Sequence, residues 1–267
     1  MYKKNRSILT ASLAGSLALS AGSAGNAVAE EDGWNFSVAP LYLWAKAIDG
    51  NASAGGKQLP LELDFKDDII ENLDAAFAIH FEASKGDLTL FAEYNFARLD
   101  PEVSEFVGGV EVKGSVDFED TMSEGGIAWK FAETGSVGWE VLGGLRYYKQ
   151  DIKVKFSNSQ DVEPPVPLPN KINVGDSWMQ PIVGIRMTAP LSERWSFRGR
   201  ADYGYEGSDN TALQGLFFLD YRFRGWGSAF IGYRYLDMDF ENGTSGLSQY
   251  GFDGDQQGPL IGLNFYF

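Results

Sequence analysis

Cysteine is absent from the 267 residues, histidine occurs once, and no stretch beyond residue 29 holds 18 apolar residues in a row. Without thiols there is no disulfide framework, no thiolate nucleophile and no cysteine-ligated metal. A lone His80 leaves no histidine pair at metal-binding spacing. With no long apolar run, no helix of the main chain can cross a bilayer, so membrane residence requires a closed β-barrel, the other structure that satisfies its own backbone in lipid. Basic residues are outnumbered, 22 Lys+Arg against 37 Asp+Glu. That deficit argues against nucleic acid, because phosphate binding needs basic patches.

The first 29 residues differ from the rest. Lys3, Lys4 and Arg6 precede an apolar stretch from Ile8 to Leu19, and Ala27-Val28-Ala29 precedes Glu30. This is the layout of a cleaved secretory signal peptide. The expected division is 1–29 signal peptide and 30–267 a single barrel domain. The leader contains three of the 22 basic residues and no acidic one, so the domain carries 19 basic against 37 acidic groups, a net −18.

Short turns recur with a tryptophan near them: Lys85-Gly86-Asp87, Glu133 to Ser136, Leu191 to Arg194, and Arg224-Gly225. Trp34, Trp129, Trp139, Trp195 and Trp226 sit at these strand ends, as an interfacial girdle would. If the short turns share one side, the chain makes five hairpins. The predicted strands are 34–45, 74–84, 88–99, 110–131, 137–155, 173–189, 195–206, 211–223, 226–240 and 258–267. Twelve would result if "LPLELDF" in the loop 46–73 paired locally; eight is the lower alternative. "DDIIENLD" (67–74) has helical spacing. The expected fold is therefore an all-β, antiparallel, up-and-down transmembrane barrel of about ten strands with both termini periplasmic.

Alternation runs through these segments. In "WSFRGRADYGYE" the odd positions are apolar or small and the even ones polar; "LQGLFFLDYRF" and "WEVLGGLRYY" behave alike. A soluble sandwich would alternate too, so the leader, the aromatic strand ends and the terminal "IGLNFYF" make the choice: the apolar face points out. The alternation slips in "VEVKGSVDF" and again at Ile152, Val154 and Phe156, at matching heights. The expectation is bulges, or a two-stranded ribbon rising above the lipid, joined by the Pro-rich "SNSQDVEPPVPLPNK".

On this register the lumen receives His80, Glu82, Glu93, Glu124, Lys130, Glu140, Arg146, Arg186, Arg198, Arg200, Asp202, Glu206, Asp220, Arg222 and Arg234. Charges inside a narrow barrel must be paired or hydrated. Two readings follow: a salt-bridged interior and a structural envelope role, or a narrow passive pore with an electropositive strip along Arg198, Arg200, Arg222 and Arg234. A surface-binding barrel acting through acidic and Pro-rich loops is the alternative class. A hydrolase using His80 with Glu82 and Ser84 is the third; residues two apart on one strand are ordinary pleat neighbours, and no nucleophile motif accompanies them, so no enzyme and no cofactor are expected. Asp237, Asp239, Glu241, Asp253 and Asp255, read as an outer rim, could bridge divalent cations, although the spacing of a full calcium loop is missing.

"FSVAPLYLWAKAIDG" (36–50), "PLSERWSFRGRADYGY" (190–205), "YRYLDMDF" (233–240) and "GPLIGLNFYF" (258–267) resemble the strands of a group of uncharacterised Gram-negative outer-membrane barrel proteins, distantly OmpW-like. Leu41 between Pro40 and Tyr42 departs from that group's P-Y-L-W-A-like first strand. The resemblance implies outer-membrane residence among lipid and lipopolysaccharide, with Phe267 as part of the signal read by the barrel-assembly machinery. It carries no catalytic residues across.

Overall fold

The computed structural model describes residues 33–54, 57–63, 71–100, 102–107, 110–158 and 171–267. The proposed leader and the proline-rich connection 159–170 lie outside them. Thirteen strands form one antiparallel sheet. Ten close into a ring: β1 (Asn35–Trp44), β4 (Leu73–Lys85), β5 (Leu88–Leu99), β7 (Val110–Thr134), β8 (Val137–Asn158), β9 (Lys171–Pro190), β10 (Trp195–Tyr205), β11 (Asn210–Arg224), β12 (Gly227–Glu241) and β13 (Tyr250–Tyr266), with β13 returning to β1. Phe267 seals the seam, exchanging backbone hydrogen bonds of 2.9 and 3.1 Å with Phe36. Gly86 and Gly135, at φ 57° and 64°, supply the left-handed residue that two of the short turns require.

The expected bounds hold within a few residues for nine of the ten ring strands; β13 begins eight residues earlier. Three strands were not expected as firm elements. β2 (Ala47–Ala54) continues the path of β1 up β13, β3 (Lys57–Leu63) pairs with β2, and β6 (Glu102–Val107) pairs with β7. The local pairing of "LPLELDF" is thus realised in β3.

Large apolar side chains cover the outside: Val183 is 61% exposed, Ile231 59% and Phe217 51%. Trp34, Trp129, Trp195 and Trp226 are exposed near the short-turn end, with Trp139 half-buried beside them. Eight or so residues further along, Tyr147, Tyr203, Tyr205 and Tyr235 form a second exposed aromatic ring. Sequence reading found only the tryptophan girdle. Between the two rings lies the apolar band that a barrel presents to lipid.

The slip in alternation has a simpler cause than a bulge. β7 and β8 pair without interruption from Val112↔Asn158 to Lys130↔Glu140. Where side chains are described, even-numbered residues of both strands face inward, Lys130 beside the turn excepted; the solvent outside changes. Within the band the even positions mix charged residues such as Glu124, Glu140 and Arg146 with small or apolar ones such as Ala128 and Leu142. Beyond it Phe118, Tyr148, Trp178, Leu236, Met238, Phe240 and Phe252 turn inward as a buried apolar cluster, while Asp117, Lys149, Asp151, Asp237 and Asp239 face out. Nor is the projection a two-stranded ribbon: β6 and β9 flank β7 and β8 and make it a four-stranded wall.

The five carboxylates read as a rim are likewise wall residues. Asp237 stands opposite Asp255, which stands opposite Asp49; Asp239 stands opposite Asp253. Among the described residues no group of three or more acidic or histidine side chains is placed to hold a metal ion. Burial raises the Asp239 carboxyl above its ordinary range, and Asp253 and Glu241 push it further the same way. A carboxyl raised in the folded state contributes stability that is complete below about pH 4 and is lost as pH rises through the raised value. Asp239→Asn is therefore expected to stabilise the barrel at pH 7 and low salt by about 0.5 kcal/mol or less. In denaturant titrations that gain should vanish near pH 3; a gain independent of pH would refute the charge explanation.

Candidate functional site

Among the described residues the lumen is where the fold concentrates charged side chains, and they arrive there by parity along each strand. His80 and Glu82 come from β4, Glu93 from β5, Glu124 from β7, Glu140 and Arg146 from β8, Arg186 from β9, Arg198, Arg200 and Asp202 from β10, Asp220 and Arg222 from β11, and Arg234 from β12. What sequence could not supply is how they meet across the ring.

At mid-height three guanidiniums and three carboxylates interlock. Arg146 donates to Glu124 at 3.0 Å and to Asp202 at 2.7 Å. Arg200 donates to Asp202 at 2.7 Å and to Glu124 at 2.5 Å. Arg234 pairs with Glu93 on the opposite wall and donates to Gln214 at 2.8 Å, while Gln214 donates to Asp202 at 2.8 Å. Charges balance three against three. The side chains of Arg146, Arg234, Glu124 and Asp202 are 0% exposed. Gly126 allows this packing: a Cβ there would come within 2.7 Å of the Phe91 ring, over which Arg200 lies at 5.0 Å.

Toward the short turns a second group spans the ring. Arg186 pairs with Glu82 and donates to Glu140 at 2.6 Å, and Arg198 stands 3.7 Å from Glu82. Ser228 donates to Asp220 at 2.6 Å; Arg222 is exposed at this mouth, its guanidinium 4.5 Å from the Tyr266 ring. Lys130 leaves the lumen to pair with Glu133 beside a turn. Glu206, at the far end of β10, accepts from Asn210 at 2.8 Å and also stands outside the network. The expected electropositive strip is thus broken up, with Arg200 and Arg234 neutralised by carboxylates.

Toward the other end, Lys46 pairs with Asp120 and donates to Gln256 at 3.1 Å, Gln150 donates to Asp120 at 2.9 Å, and Tyr250 donates to Gln150 at 2.7 Å. Above them the rings close over: Trp178 stacks on Phe240 at 4.0 Å and on Tyr148 at 5.3 Å. Lys46 and Asp120 escaped the sequence reading. The first fell in a segment taken as loop; the second lies where the alternation inverts, although its even number places it inward.

His80 does not build a hydrolytic triad. Its Nδ1 lies 3.2 Å from Glu93 and its Nε2 3.5 Å from Glu82, and its ring stacks on Tyr42 at 5.1 Å. Both nitrogens face carboxylates, which leaves neither to draw a proton from Ser84.

No protein-family model matches the chain, and no curated protein matches it in sequence. Among solved structures it is similar to the outer membrane protease OmpT from Escherichia coli, with a TM-score of 0.55 and 10% identity over 89% of this chain and 98% of that one. The translocator domain of the autotransporter NalP from Neisseria meningitidis aligns at a TM-score of 0.48 and 15% identity over 88% of each chain. Ail of Yersinia pestis aligns at 0.33 and 13%, over 88% and 99%. The likeness to OmpT is one of fold alone: this chain is a closed, antiparallel ten-strand barrel of the bacterial outer-membrane type.

Proposed function

We propose that the protein is a non-conducting barrel of the outer membrane, a structural envelope component that holds a rigid β-wall above the lipid rather than a passage through it. The observation that carries this reading is the buried mid-lumen network, whose ion pairs link β7, β8 and β10 and reach across the ring from Arg234 of β12 to Glu93 of β5. A water-filled conduit needs hydrated charges; here Arg146, Arg200 and Arg234 are each held by buried carboxylates. The aromatic cluster above repeats the blockage with apolar groups.

The short-turn rule of such barrels supports placing the short turns and both ends of the barrel domain on the periplasmic side. The basic-then-apolar first 29 residues support export, and the strand resemblances support membership of the group of uncharacterised Gram-negative outer-membrane barrels. That the chain is not an enzyme is supported by the occupied nitrogens of His80.

Planar-bilayer recording on purified, refolded protein tests the reading. The expected trace is silent at all voltages while the protein retains its barrel spectrum. Discrete, reproducible conductance steps from folded native protein would replace this proposal with a pore.

A further inference from the structure

The ring is not sealed along its full height. β1 pairs with β4 only from Asn35↔Ser84 to Ala39↔His80. Above that pair β1 stays on β13 up to Trp44↔Leu260, while β4 stays on β5 up to Leu73↔Leu99. The two strands therefore diverge. The split starts at Pro40, within the register shift of β1 between Val38 and Leu41, where a residue without an N–H cannot continue a ladder. Leu63, opposite Ile48 on the β2–β3 hairpin, marks the upper limit of the gap.

A cavity of about 240 Å³ occupies this gap. Its lining changes character through the wall. Leu43, Phe77 and Ile261 belong to the exposed apolar exterior; Trp44, Ala78 and Asn95 belong to the inward parity. The site lies at the height of the apolar band, below the level where the strands turn charged outside. The apolar side chains lining the gap favour an apolar occupant, while the unpaired strand edges beside it call for a polar group. On the inner wall the buried Nε1–H of Trp44 has no acceptor among the described residues, although its ring is flanked by Lys46 and Arg234 at 5.2 and 4.8 Å.

We propose that the gap between β1 and β4 is a lateral window that admits the acyl chain of a membrane amphiphile bearing a carboxyl or ester oxygen. The hydrocarbon lies between Leu43 and Phe77, and the oxygen accepts from the Trp44 indole. This gives a sealed barrel a binding function from the side. It rests on the barrel being embedded in lipid, not on the lumen being closed along its axis.

The test places refolded protein in phosphatidylcholine bilayers containing a diazirine-bearing C16 fatty acid, irradiates them, and maps adducts by mass spectrometry. Adducts are expected around Trp44, Ala78 and Asn95 as well as on lipid-facing Val183 and Phe217. Excess palmitate should suppress the first group and spare the second. Ala78→Trp, which fills the window, should reduce adducts at Asn95 at least about tenfold with Val183 unchanged, and Trp44→Phe should weaken retention about fivefold, the worth of one hydrogen bond. Adducts confined to Val183 and Phe217 would overturn the window while leaving the barrel in its membrane. Adducts on neither group would remove the membrane placement and the window with it.

Discussion

Replacing Arg146 by Ala is expected to cost about 3–5 kcal/mol of unfolding free energy, the effect of removing one partner from a buried ionic network. Arg146, fully buried on β8, bonds both Glu124 of β7 and Asp202 of β10, two acids that Arg200 bonds as well. Its loss leaves two buried acids sharing the single charge of Arg200. Arg146→Lys should fall between, because an ammonium keeps the charge and loses the fork that reaches both acids. Urea titration of the refolded protein in detergent checks this. A loss below about 1 kcal/mol would mean that solvent already fills the network, and the closed-lumen reading would fall with it.

The second large effect concerns the outside. Val183→Arg is expected to cost about 2–4 kcal/mol in a bilayer, the measured range for arginine at the midplane of a barrel's lipid face. Ser177→Arg lies on the same strand and the same face, six residues along, opposite Lys149. It should change stability by no more than about 0.5 kcal/mol, as exposed substitutions do. Equal costs at the two positions would show that the hydrocarbon boundary lies somewhere other than at the ring of tyrosines.

Much of this was legible in the residues. β5 is read at its observed bounds, since "LTLFAEYNFARL" alternates cleanly between two turn signals. The lumenal charges were found because parity survives any error in strand ends. β2 was missed because "AIDGNASA" is made of residues with little strand preference. Its ladder is held by β13, a neighbour more than 190 positions away. The start of β13, "YGFDGDQQ", reads as an acidic loop for the same reason. The pairings within the site were illegible: that Arg234 should meet Glu93, or Arg186 meet Glu82, depends on which walls of a closed ring stand opposite each other. Gln150 stayed hidden because a neutral amide carries no signal until a charged neighbour is placed beside it.

The inversion of polarity along the strands also fixes how deep the molecule rides. Asp117, Asp151, Asp237 and Asp239 mark the wall on β7, β8 and β12 just past the tyrosines, like the painted load line on a hull. Sinking by one pleat would drag that collar into hydrocarbon, and rising by one would strip lipid from the tryptophans. The barrel cannot adjust its draught to a thicker or thinner membrane, so the surrounding lipids must stretch or compress to meet it.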